Sequence, residues 1–208
     1  MRQDKLDCVG MEDSMKIEKM RFAYTNDITA VNQKQYEEHL KLYEGYVNKV
    51  NEIDKDLSQD PDYENANATY SRFRALKRGE TFALDGVILH ELYFENMGGT
   101  MQEPEILTLR SLADSYPSFE LWRQDFIATG KASRGWAMLV WDQRSRRFRN
   151  ISLDAHDVGN VTLSFPILVM DVYEHAYFGQ YGTNKAAYIE NFMNNIDWSV
   201  VNRRMARL

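Results

Sequence analysis

The chain has almost no cysteine. Its single thiol, Cys8, can form no internal disulfide, so a fold stapled by covalent bridges is excluded and a reducing compartment is expected. Long apolar runs are also missing: no stretch approaches the about 18–20 apolar residues needed to cross a bilayer. Residues 1–20 are broken by charge throughout and hold no apolar block of the secretory kind. The expectation is a cytoplasmic protein with no membrane partner. A basic excess is absent too, since 31 acidic side chains against 25 lysines and arginines leave a net charge of −6. That balance argues against a dedicated nucleic-acid binder, whose footprint is basic. It also means that a small anion must be drawn in by a local positive patch, because the overall field repels it. There is no internal repeat and no low-complexity segment.

What the chain has in quantity is aromatic surface, with 12 Tyr, 10 Phe and 4 Trp in 208 residues. That supports one large domain or two smaller ones sharing a core. Tyr36, Leu40, Tyr43, Val47, Val50 and Leu57 form a helical stripe over residues 32–57, with His39, Tyr46 and Ile53 on an adjacent line. Asp60-Pro61 predicts the start of a second helix that stops near Gly79. A third helix is expected over 81–97, ended by Gly98-Gly99, with His90 in its middle and Gly86 one turn earlier. Helices are expected at 105–115 and 119–129. A β-hairpin follows, with strands near 135–141 and 148–153, and the apolar run 167–172 reads as a buried central strand. Two last helices fall at 186–194 and 198–205. The fold class is α+β: an N-terminal helical hairpin domain (26–99), then a C-terminal α/β domain with a small antiparallel sheet (100–208). Residues 1–25 are expected to be a solvated, partly disordered tail.

The sharpest chemical signal is Asp171-Val-Tyr-Glu-His175, directly after the apolar strand. A carboxylate and an imidazole four residues apart can face one site, on a helical face or at a strand-to-helix turn. Three histidines with one carboxylate suit a borderline transition metal such as Fe, Mn or Zn. Taken singly, each has an ordinary reading: His39 and His90 as satisfied core residues, Asp171 and His175 as an ion pair, His156 as a loop residue. Tyr46, Trp136, Trp141, Tyr173 and Tyr177 read as core, and Arg144, Arg146, Arg147 and Arg149 as a solvated hairpin face.

Order and context decide between these readings. A histidine on the first long helix, another on a helix ending in Gly-Gly, and Asp-x-x-x-His after a late strand resemble the iron/manganese superoxide dismutases. Asp171-Val-Tyr-Glu-His-Ala-Tyr177 resembles that family's Asp-Val-Trp-Glu-His-Ala-Tyr. Gly135-Trp-Ala-Met-Leu-Val140 is similar to its Gly-Trp-Ala-Trp-Leu-Val, and Phe192-Met-Asn-Asn-Ile-Asp-Trp198 to its Phe-Trp-Asn-Val-Val-Asn-Trp. The resemblance spans roughly residues 30–205 and is stronger in the C-terminal half. It implies a superoxide dismutase with one Fe or Mn ion per subunit, held by His39, His90, Asp171 and His175, with a solvent molecule as fifth ligand. Superoxide would be the small-molecule substrate, and a homodimer or tetramer the assembly. Tyr46 would be the gateway tyrosine and Trp136 a wall of the pocket. Tyr173 and Tyr177 would line the approach, Glu174 would reach the partner's metal ligand, and Lys185 would guide the anion inward.

The chain also departs from the family pattern. Tyr46 follows His39 by seven residues where eight is usual, so an ungapped alignment puts Glu38 at the ligand position. His39 is the expected ligand, because losing one residue near a helical irregularity is easier than exchanging a neutral ligand for an anion. Leu42 and Tyr43 replace a histidine pair, and Phe178 stands where a tyrosine commonly crosses the dimer. The resemblance implies a donor to the metal's solvent from either of two positions. Gly86 occupies one of them, which leaves His156 at the other and the preference between iron and manganese open. All four histidines then belong to one site. The rival expectation is a dismutase-like fold kept as an inactive metal-binding or interaction protein.

Overall fold

In the computed structural model, residues 16–99 and 103–208 are described. The first helix, α1 (Gln33–Gln59), starts where the Asn32 side chain accepts a hydrogen bond from the Gln35 N–H. It buries Tyr36, Tyr43, Val47, Val50 and Ile53, and His39 with them. The next long helix, α2 (Arg72–Glu95), is capped by Ser71 in the same way and runs back antiparallel to α1. The sequence suggested two helices here, one ending near Gly79 and one starting at Thr81. Instead Tyr63–Asn65 is a single 3-10 turn and α2 continues through Gly79. An interior glycine costs a helix about 1 kcal/mol and does not end it. The missing side chain also lets α1 approach, since a Cβ at Gly79 would lie 3.2 Å from Ile53 Cδ1.

The second half holds α3 (Ile106–Ala113), α4 (Phe119–Ala132), β1 (Trp136–Asp142), β2 (Arg147–Leu153), β3 (Ser164–Asp171), α5 (Glu174–Tyr181), α6 (Lys185–Met193) and α7 (Trp198–Met205). The strands form one antiparallel sheet in the order β2-β1-β3. The expectation of a central strand at 167–172 is therefore corrected: β1 is central and β3 lies at the edge. Its apolar run is buried nonetheless, because helices cover it. Asn96, at the end of α2, donates to the Val169 carbonyl, and Arg204 of α7 donates to the Ile167 carbonyl. A strand covered on both faces loses its alternation. Register places Trp136 opposite both Leu153 and Asp171, so one end of the sheet presents a tryptophan and a carboxylate together.

Residues 16–25, expected within a solvated tail, instead lie along the helical hairpin. Ile17 exchanges two hydrogen bonds with the Asn51 side chain, Met20 N–H donates to Tyr43 Oη, and the Phe22 ring packs on Tyr43 and Phe94. Ile17, Phe22 and Tyr24 carry enough apolar surface to dock in a groove, which a charge count along the stretch conceals. Residues 1–15 of the expected tail lie outside the described residues. The strap then runs to Asn195, which is 2% exposed. Asn195 Oδ1 accepts from the N–H groups of Thr29 and Ala30, and its Nδ2 donates to the Asp27 carbonyl.

Replacing Asn195 with Ala strips three backbone groups of their partner. Each buried unsatisfied group costs about 1–3 kcal/mol, so denaturant unfolding is expected to show a loss of at least about 2 kcal/mol. An unchanged midpoint would show that water replaces this side chain without cost.

Candidate metal centre

Four side chains from four elements meet where the helical hairpin faces the end of the sheet. His39 comes from α1, His90 from α2, Asp171 from the last position of β3, and His175 from the first turn of α5. Their ligand atoms all lie within 4.8 Å of one another. Asp171 Oδ2 is 3.1 Å from His39 Nε2, 3.2 Å from His175 Nε2 and 3.7 Å from His90 Nε2. Asp171 is fully buried and braced elsewhere: Oδ1 accepts from the Tyr173 N–H, and the Asp171 carbonyl accepts from Tyr188 Oη.

Glu38, the alternative to His39, is exposed and pairs with Lys41. His39 is 2% exposed, with Tyr93 and Phe94 against its ring. The helix thus turns the imidazole inward and the carboxylate outward.

The donor set fits a metal on one particular observation. His90 Nδ1 lies 2.6 Å from the Gly86 carbonyl, so it carries the ring proton and Nε2 presents a lone pair. Among the described residues, His90 Nε2 is the one buried side-chain nitrogen or oxygen with no hydrogen-bond partner. A buried acceptor left unpaired is costly, and here it points at a carboxylate and two more imidazoles. A transition ion satisfies it; Zn would suit the same donors but cannot change oxidation state.

Electrostatics agree. Burial pushes the His90 imidazole down to about 3, with His39 adding to the effect, and burial likewise lowers His39. Burial would raise Asp171, but the neighbouring His175 and His39 and their hydrogen bonds outweigh it and hold the carboxyl ionised. His175 is raised overall: burial works against its charge, and Asp171 overcomes it. Two neutral imidazoles and an ionised carboxylate are the protonation states that a cation needs.

A second layer lies beside these four. Trp136 Nε1 is 2.9 Å from His156 Nδ1, and His156 Nε2 is 2.8 Å from Tyr46 Oη. An indole nitrogen can only donate, so His156 Nδ1 accepts. Burial keeps this ring neutral, pushed down to about 4, so its one proton sits on Nε2 and is given to Tyr46. Tyr46 then has its own hydroxyl proton free for another acceptor. Burial, with Asp171 nearby, raises Tyr46 above its ordinary value, so it stays protonated at neutral pH.

Tyr173 stacks on His175 with ring centroids 5.1 Å apart, and Tyr177 stacks on Tyr188 beneath α5. Lys185 Nζ donates to the Ser133 carbonyl at 2.6 Å; burial lowers it and Asp171 partly restores it. Glu174 is exposed at the start of α5. The hairpin arginines do not join the site, and Arg149 is held by Asp142 at 2.8 Å. Sequence reasoning missed Gln35, whose Nε2 donates to the His175 carbonyl at 2.5 Å and ties α1 to α5. It also missed Tyr188. A polar residue next to a helix start and a tyrosine in an apolar helix carry no signal of such long-range bonds.

A sequence model of the iron/manganese superoxide dismutase C-terminal domain matches residues 105–204. The chain is 37% identical to an iron superoxide dismutase of Aquifex pyrophilus over 92% of each chain. It is 38% identical to the iron enzyme of Aquifex aeolicus over 87% of each. The chain belongs to the iron/manganese superoxide dismutase family. Manganese members are similar as well: superoxide dismutase [Mn] 2 of Haloferax volcanii is 36% identical over 77% of this chain and 79% of its own length.

The helix–helix contact behind Tyr46 can be tested directly. A Cβ at Gly86 would lie 2.9 Å from two Tyr46 ring carbons. Gly86→Ala is therefore expected to cost about 1–3 kcal/mol through overpacking and to lengthen the Tyr46–His156 hydrogen bond in a crystal structure. An unmoved ring would contradict this.

Acid should destabilise the metal-free protein. Folding keeps His39, His90 and His156 neutral with lowered values, whereas the unfolded chain binds protons there below about pH 6.5. Stability is then fully present above about pH 6.5 and falls as pH drops towards 4. His175 and the carboxyls Asp54, Asp85 and Glu91, all raised, work the other way, but the larger shifts of His90 and His156 outweigh them. Melting temperatures measured from pH 7 to pH 4 check the sign; a rise on acidification would refute it.

Proposed function

We propose that the protein is a superoxide dismutase, converting two superoxide ions and two protons into dioxygen and hydrogen peroxide at one iron or manganese ion per subunit. The observation that carries this reading is the unpaired His90 Nε2 facing Asp171, His39 and His175. The relatives named as iron and manganese superoxide dismutases support it. When bound, the ion would supply the one-electron redox chemistry that dismutation needs.

The chain's own residues do the rest. His39, His90, Asp171 and His175 hold the ion between the hairpin and the sheet. Peroxide formation needs two protons, and the neutral pair His156 and Tyr46 holds protons beside the ligands, with Trp136 fixing the imidazole's direction. The ring stack of Tyr173 on His175 limits water at the site, and Tyr177 supports the start of α5. Lys185 offers the local positive charge that an anion needs in a chain of net charge −6. His156 tunes the ion's reduction potential and hence the balance between iron and manganese.

The domains are read as a helical unit of residues 26–99 and an α/β unit of residues 100–208 that close on the ion. The assembly is read as a homodimer across the start of α5. There Glu174 is exposed without an ion pair among the described residues, and Phe178 is half exposed. One cysteine and no membrane-crossing helix among the described residues agree with a cytoplasmic setting.

The test is dismutation by protein loaded separately with iron and with manganese, with metal content measured in each. Activity with at least one metal, lost in the metal-free protein, is expected. One ion per chain with no activity in either form would leave an inactive metal-binding protein. Asp171→Ala should lose metal retention altogether, read by elemental analysis after dialysis; full metal and full activity in that variant would sink the ligand assignment.

A further inference from the structure

His156 does not belong to either structure that holds the metal ligands. It sits in the connection between β2 and β3, in a tight turn where Asp154 N–H bonds the Val158 carbonyl and Val158 N–H bonds the Ala155 carbonyl. Those bonds shape the turn but do not fix it relative to the ligands. Besides Trp136 and Tyr46 on the ring and Tyr173 on the Asp154 carbonyl, α2 joins it to them. Asn160 Nδ2 donates to two acceptors at once, the His156 carbonyl at 3.0 Å and Asp85 Oδ2 at 3.0 Å. A primary amide nitrogen has two hydrogens, so one side chain binds the backbone of His156 to the helix. Asp157, whose side chain is 8% exposed, takes Arg78 at 3.2 Å and Thr81 Oγ1 at 3.3 Å.

Arg78, Thr81 and Asp85 follow each other at helical spacing along one side of α2. The next residue, Gly86, meets the Tyr46 ring, and one turn further His90 anchors its Nδ1 on the Gly86 carbonyl. The same four turns of helix therefore set the place of a metal ligand, the gateway tyrosine and the loop imidazole.

We infer that Asn160 and Asp157, gripping Asp85, Arg78 and Thr81, are positioning residues that hold His156 at its distance from the metal and so contribute to the metal's reduction potential. The inference rests on the reading of His156 as the residue that tunes that potential. Hydrogen bonds weaken steeply once distance or angle leaves the favourable range, so a loop that drifts by a few tenths of an ångström changes what His156 does. Groups that orient a ligand's neighbours act on the metal without touching it.

The experiment is a potentiometric titration of the metal-loaded protein and of four variants: Asn160→Ala, Asp85→Asn, His156→Ala and the double variant Asn160→Ala/His156→Ala. Asn160→Ala should shift the midpoint in the direction of His156→Ala by a part of that variant's shift. Asp85→Asn keeps an oxygen acceptor for the amide and should shift it less than Asn160→Ala. The double variant should match His156→Ala alone, because a residue that acts through His156 has nothing left to act on. Arg78→Met, at a mostly exposed position that the fold does not need, gives a second loosening of the loop and should shift the potential in the same direction. The inference is overturned if neither loosening variant moves the potential, whatever happens to the melting temperature, or if the Asn160→Ala shift persists without His156. If His156→Ala itself leaves the potential unmoved, the reading of His156 as the tuning residue fails first, and this inference falls with it.

Discussion

A single carboxylate organises the molecule. Asp171 is fully buried yet ionised, and a charge in that position is tolerated only because imidazoles converge on it and a cation can join them. Each of those imidazoles arrives on a different helix, so the charge obliges α1, α2 and α5 to meet at the last residue of β3. The antiparallel register then sets Trp136 beside Asp171, and Trp136 in turn fixes which nitrogen of His156 accepts. Ligand set, tautomer and proton store follow from one strand end.

The helical half and the sheet half are held together by amide side chains that bond the backbone or a side chain of the other half. Gln35 reaches the His175 carbonyl, Asn96 the Val169 carbonyl, Asn195 the strap before α1, and Asn160 links α2 to the His156 loop. Amides suit this task because each offers donors and acceptors in fixed geometry without adding charge next to a metal. Away from the site, Arg204 is buried but saturated by Glu95, Asn96 and two backbone carbonyls.

Much of this could be read in the chain. The stretch Asp171 to His175, following an apolar run and joined to histidines on two early helices, pointed to the metal and the family. The apolar stripe from residue 32 and the stop at Gly98-Gly99 marked the hairpin's outer ends. His39 is preferred over Glu38 because a neutral ligand is not easily exchanged for an anion, and the structure buries the imidazole and leaves the carboxylate exposed. What stayed hidden has one physical character. Periodicity reports which face of an element is apolar, not what lies across from it. The continuity of α2 through Gly79 comes from its contact with Ile53, the docking of residues 16–25 from a groove made by two other helices, and the edge place of β3 from sheet order. None of these is local. The long-range amide ties at Gln35, Asn160 and Asn195 span 75 to 168 positions, and polar residues at such places look like ordinary surface.

The claim on which everything else depends is that three imidazole Nε2 atoms and one Asp171 oxygen bind one ion. Anomalous diffraction from crystals of the manganese- or iron-loaded protein tests it most directly. The account predicts one peak per chain at bonding distance from His39, His90, Asp171 and His175, with Glu38 in solvent. A peak elsewhere, or one that draws Glu38 inward and leaves His39 aside, would contradict it.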